Sequence, residues 1–280
     1  MRRSRALTSK RNIWLSGPYL LWIVGFILLP LITIFYYGFT SDDGGFTFAN
    51  IMGAVTDPNN IKVFGKTMLV SVLATVICLL LSYPLALCLS KLDMKKSSVL
   101  IFLFILPMWM NFMLQMVAIN LILEDNGIIN ALLTSLGFEK IHIANTFTAI
   151  LIGMVYDYFP FMLLPVYNTV SRIDKDLLNA SRDLGAGNVR TFFKITLPLS
   201  LPGIISGVTM VFVPAISDFA IAEMLGGGNV WLIGNIIENN FVKGQYHSGS
   251  GLALILMIFV VGTSLFVGGD SESEGGAMLP

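Results

Sequence analysis

Two aspartates stand in stretches otherwise too apolar to carry charge: Asp157, between Tyr156 and Tyr158, and Asp218, four positions after Pro214. An ionisable group inside a membrane-length segment is costly and marks a functional site by default. Trp109 adds a ring face that attracts a cation, and Asn111 and Gln115 add neutral hydrogen-bonding groups. Carboxylates beside aromatic rings suit a cationic solute held without covalent change. The same residues admit a second account. Asp157 and Asp218 can hydrogen-bond to neighbouring helices, Trp109 can pack on lipid or bundle, and Asn111 and Gln115 can hold helices together.

Other chemistry finds no residues to carry it. Cys78, Cys88, His142 and His247 have no metal-ligand spacing, and both cysteines read as small packing residues. Gly65-Lys66-Thr67 resembles the end of a phosphate-binding loop, but Asn60 stands where its first glycine is required, and Gly185-Ala186-Gly187 lacks a preceding strand and a third glycine. No catalytic residue, metal or nucleotide site is expected. An active transporter of this sequence must draw its energy from a partner or from an ion gradient.

The elements that would position these residues are membrane helices. Hydrophobic side chains make up 55% of the chain, charged ones 12%, and mean hydropathy is +0.78. A bilayer core takes about 20 apolar residues per helical span. Six stretches qualify, at about 13–38, 67–90, 98–123, 146–170, 198–222 and 251–268. This predicts an all-α membrane protein with Asp157 near mid-membrane in span four, Trp109 near mid-depth in span three and Asp218 in the outer half of span five. Five of the six stretches contain proline, which kinks helices. The run 13–39 is too long for a secretory h-region and is expected to be an uncleaved first span. Residues 1–268 read as one polytopic domain. Residues 269–280 form an acidic, Gly/Ser-rich tail without Lys or Arg, expected to be a non-native or truncated end.

Charge sets the orientation. The amino terminus (Arg2, Arg3, Arg5, Lys10, Arg11), the loop after span two (Lys91, Lys95, Lys96) and the loop after span four (Arg172, Lys175, Arg182, Arg190, Lys194) hold 13 of the 17 basic residues. Basic residues at span ends stay in the cytoplasm, so both termini and these loops are expected there.

The loop after span four is the only sizeable cytoplasmic one. Asp174 is placed to cap a short helix, Leu177, Ala180, Ser181 and Leu184 share one face, and Gly185 is placed to end it. Asn188 is placed to cap a second helix, with Phe192 and Phe193 exposed for docking. This loop resembles the coupling motif of ABC importer permeases: E-A-A, three residues, Gly, nine residues, Ile-x-Leu-Pro. Asn179, Ala180 and Ser181 occupy the first triplet, Gly185 the glycine, and Ile195, Leu197 and Pro198 the end. Asn179 replaces the usual glutamate and Ser181 the second alanine.

The segments Pro18–Ile32, Leu106–Asn111 and Tyr156–Tyr167 extend the likeness to spermidine and putrescine importer permeases, and permeases for sulfate, iron and other small solutes share much of them. The resemblance implies the type I ABC importer permease fold, with six spans and a coupling-helix loop between spans four and five. It further implies a bacterial inner-membrane assembly with two ATPase subunits that use ATP and Mg, a second and different permease chain, and an extracytoplasmic solute-binding protein. An ion-driven secondary transporter, with Asp157 as its proton or sodium site, is the competing class. The spaced motif and the lack of an inverted repeat argue against it. A channel or a membrane anchor would not need a docking loop.

Overall fold

Among the described residues, six helices are long and apolar enough to cross a membrane: Leu21–Phe39, Pro58–Ser90, Phe112–Ser135, Phe147–Val170, Asn188–Ser217 and Tyr246–Leu265. The computed structural model describes Tyr19 and residues 21–275, with the backbone alone for Met94 and 266–275. The amino-terminal basic cluster Arg2–Arg11 and the start of the stretch 13–38 lie outside the described residues, as do residues 276–280 of the tail. The last helix, Tyr246–Gly275, continues past Gly268, where the sequence was expected to end the span.

Two prolines stand just after irregular turns. Pro30 and Pro198 each follow a π turn, Val24–Leu28 and Phe192–Thr196. A proline ring clashes with the carbonyl four residues earlier, which here is Phe26 or Lys194, and the wider π turn gives that carbonyl room. Pro84, Pro160, Pro165, Pro202 and Pro214 lie inside continuous helices.

At Pro107 the expected span 98–123 is broken. Helix α1 (Met94–Ile105) gives way to a 3-10 turn, Leu106–Trp109, and helix α2 (Phe112–Leu123) starts anew. Twelve residues rise about 18 Å, short of a core about 30 Å thick, so α1 alone does not span. The membrane-length element is instead α2 continued, after a turn at 124–127, by helix α3 (Ile128–Ser135). The expected fifth span, 198–222, likewise ends early. Its helix α4 (Leu197–Ser217) stops before Asp218, and a separate helix α5 (Ala220–Gly226) follows.

The chain forms two compact units, one from residues up to Pro58 with Ile237–Met257, the other from Asn59–Ile236 with the residues from Ile258. In the first, the Asn50 amide donates to the carbonyls of Tyr37 (3.1 Å) and Thr40 (2.8 Å), closing the end of the first span. His247 Nδ1 lies 3.0 Å from the Tyr37 carbonyl, and its ring meets the Tyr37 ring edge-on.

The second unit packs around span two, helix α6 (Phe147–Val170), α4 and α5. Its contacts follow from small residues. Gly203 and Gly207, a G-x-x-x-G pair on α4, lie where an added Cβ would meet the Pro165 carbonyl (2.7 Å) and the Met162 carbonyl (3.3 Å) of α6. Close backbone approach of this kind substitutes for the hydrophobic drive that lipid does not supply. Outward faces remain apolar: Leu69, Leu80, Met210 and Val261 are exposed, as helices facing lipid require.

Candidate functional site

The loop between α6 and α4 is built from its own backbone. Helix α7 (Lys175–Asp183) begins at Asp174, whose carboxylate accepts from the Asp176 N–H at 2.9 Å. It ends in a left-handed Gly185 (φ +79°), with the Gly185 N–H donating to the Arg182 carbonyl and the Ala186 N–H to the Ser181 carbonyl. These are the paired bonds of a glycine-terminated helix. Helix α8 (Asn188–Thr191) starts one residue earlier than expected: Gly187 takes the cap position, and Asn188 is the first helical residue. Through the π turn at Phe192 this helix runs directly into α4.

The two loop helices are tied together and to the bundle. Ser181, where the motif has its second alanine, is buried and shares a 2.8 Å hydrogen bond with Thr191. Phe192 is half-buried and meets Tyr83 edge-on at 5.7 Å, and the Tyr83 hydroxyl lies 2.7 Å from the Ser200 hydroxyl of α4. Asn179, Ala180, Gly185 and Pro198 are exposed, whereas Ile195 and Leu197 are half-buried. Leu177, Leu184, Val189 and Phe193 present an exposed apolar surface, with Leu184 88% exposed. The pair Tyr83 and Ser200 was not singled out from sequence. Its signal was faint: a tyrosine preceding Pro84 and a serine two before Pro202, both facing inward.

The second cluster separates residues that are adjacent in sequence. Asp157 lines a cavity of about 550 Å³ with Tyr156, Gln115, Phe104, Pro107 and Met108. The next side chain, Tyr158, points elsewhere on α6, is buried, and donates to Asp218 Oδ2 at 2.7 Å. Asp218 Oδ1 accepts from the Ile221 N–H at 2.9 Å, so Asp218 caps α5 in the break between α4 and α5 and ties it to α6. It therefore does not lie within span five.

Trp109 is 80% exposed and meets Phe102 edge-on at 6.2 Å; it is not among the residues lining the Asp157 cavity. Asn111 caps α2, accepting from the Leu114 N–H at 3.2 Å. Gln115 is buried, donates to the carbonyl of Pro107, and lines the cavity from the first turn of α2. The structure thus joins Asp157, Tyr156 and Gln115, pairs Tyr158 with Asp218, and leaves Trp109 apart.

Residues 79–269 match the family model for the binding-protein-dependent transport system inner membrane component. The chain belongs to that family. It is the permease subunit of an ABC importer, and the match runs from within span two through span six, with the loop between α6 and α4. The permease is 36% identical over 247 residues to the spermidine/putrescine transport system permease protein PotB of Haemophilus influenzae, covering 85% of this chain and 86% of that one. Its identity to PotB of Escherichia coli K12 is also 36%, over 254 residues, covering 88% and 92%. The fold matches a chain in the crystal structure of a bacterial ABC transporter involved in the import of the acidic polysaccharide alginate, with a TM-score of 0.75, 16% identity, and coverage of 96% of this chain and 99% of that one.

Proposed function

We propose that this permease forms half of the translocation pathway for a polyamine of the spermidine or putrescine class. The observation that carries the reading is the Asp157 cavity: one carboxylate and one amide in a largely apolar wall to which Tyr156 also contributes. An extended polyammonium ion places a charge on the carboxylate while its methylene stem lies along apolar side chains. The likeness to the PotB permeases supports the same solute class.

Motion reaches the cavity from the loop. Leu177, Leu184, Val189 and Phe193 dock into a separate ATPase, one of two that bind ATP and Mg. The link from Ser181 to Thr191, and from Phe192 through Tyr83 to Ser200, carries the displacement into spans two and five. A second, different permease chain completes the pathway, and a solute-binding protein delivers the solute from outside. The 13 basic residues on one side support cytoplasmic termini.

Uptake of radiolabelled spermidine into vesicles holding the permease with its ATPase, second permease and binding protein tests this reading. ATP-dependent uptake displaced by unlabelled putrescine, and not by sulfate or iron, is the expected result. Stimulated ATPase activity without spermidine uptake would discard the polyamine and keep the importer.

A further inference from the structure

A second cavity, of about 600 Å³, opens where α7 and α8 meet the loop-side ends of span two and α6. Its ionisable lining residues are all cations: Lys91, Lys175 and Arg182. None of the three is paired with a carboxylate among the described residues. The acids nearest in sequence, Asp93, Asp174, Asp176 and Asp183, do not line it, and the Asp174 carboxylate is engaged with the backbone of α7. Asn179 at its wall is neutral. The remainder of the lining mixes apolar side chains, Leu87, Val170 and Phe192 among them, with the Asn188 amide and serine and threonine hydroxyls.

Three uncompensated cations around one concavity repel one another and are relieved by an anion. An arginine fork with two flanking ammonium groups matches the oxygens of a phosphate. The cavity sits at the ends of membrane-length helices, beside apolar side chains and among the loops after spans two and four, which carry most of the basic residues that the structure describes. Basic pockets between spans on that face take the headgroups of acidic lipids. We propose that this cavity binds a phosphate group, supplied by an acidic phospholipid of the surrounding leaflet. The inference does not depend on the polyamine reading, since no residue of the Asp157 cavity lines it.

Lipid retention measured by native mass spectrometry on the full chain, purified with equal phosphatidylglycerol and phosphatidylcholine, tests this site. The wild type should retain phosphatidylglycerol preferentially. Lys91→Gln combined with Arg182→Gln should reduce that retention on the order of tenfold, while Lys95→Gln combined with Lys194→Gln, cations of the same face outside the cavity, should leave it unchanged. Lys91→Arg with Arg182→Lys should keep it, which separates lost binding from lost folding. In a parallel arm, thermal protection by inorganic pyrophosphate that the Lys91/Arg182 double variant lacks, without lipid preference, would keep the phosphate site and assign it to a soluble source. Unchanged retention in the Lys91/Arg182 double variant with no pyrophosphate effect, or equal loss in both double variants, would overturn the site.

Discussion

Asp174 and Asp218 perform the same local task in different surroundings. Each accepts from a backbone N–H at the start of a short helix, at 2.9 Å in both cases. Asp174 is exposed and serves only its own helix. Asp218 uses its second oxygen to receive the Tyr158 hydroxyl from α6, so one carboxylate both caps α5 and fastens it to the bundle. A helix in water needs only its end satisfied. Against the bundle a cap also holds position, because the buried Tyr158 hydroxyl has no solvent to replace a missing partner.

The sharpest way to break this comparison is Asp218→Ala. It removes the cap and strands the buried Tyr158 hydroxyl, and should lower the unfolding free energy by about 2–3 kcal/mol. Thermal unfolding of the purified permease measures this. Asp218→Asn, which retains both acceptor and cap capacity, should restore most of it. A loss under about 0.5 kcal/mol for Asp218→Ala would mean that the tie to α6 contributes nothing.

Gly185→Asp comes next. The position has φ +79° and open space around it, so the substitution meets no clash and acts first through backbone conformation. A left-handed non-glycine costs about 1–2 kcal/mol, and a negative charge at a helix C-terminus adds to it. Over a helix of nine residues that is enough to fray the docking end. Uptake should fall roughly tenfold while ATP hydrolysis and membrane insertion persist, and wild-type uptake would remove the docking role from α7.

How far these two regions were legible in the sequence follows from the same contrast. Loop geometry is local: Asp174 as a cap and Gly185 as a terminator rest on neighbours within a few residues, and both stand as expected. Asn188 missed by one position because Gly187, without a side chain, took the cap. The bundle interior depends on which residues meet across spans. Hydropathy placed six spans but ran α1 and α2 together, since the apolar count from Val99 to Leu123 does not register that Pro107 and Asn111 stop one helix and start another. Adjacency in sequence also grouped Tyr156, Asp157 and Tyr158, whereas successive residues on a helix point about 100° apart. That rotation sends Asp157 to a cavity and Tyr158 to Asp218.

Asp157→Asn sharpens the pathway side of the comparison. The amide preserves size and polarity but removes the charge facing the cavity, so uptake of a polycation should weaken about tenfold. Assembly should be unaffected, because the carboxylate makes no hydrogen bond that an amide could not replace within that wall. Concentration-dependent uptake gives the answer: a raised half-saturation with unchanged assembly is expected, and unchanged uptake would return Asp157 to a packing role.

The smallest effect belongs to Asp174→Ala. Loss of an exposed cap costs about 1 kcal/mol of the helix it starts, and α7 stays attached through Ser181 to Thr191. Global unfolding should therefore hardly move, while hydrogen exchange at the first turn, from Lys175 to Leu178, should quicken about fivefold. Asp174→Asn should restore protection, since an amide oxygen caps as well as a carboxylate. If Asp174→Ala instead lowered global stability as far as Asp218→Ala does, the two caps would be equivalent, and the loop would be part of the folded core and not a separately ordered element laid upon it.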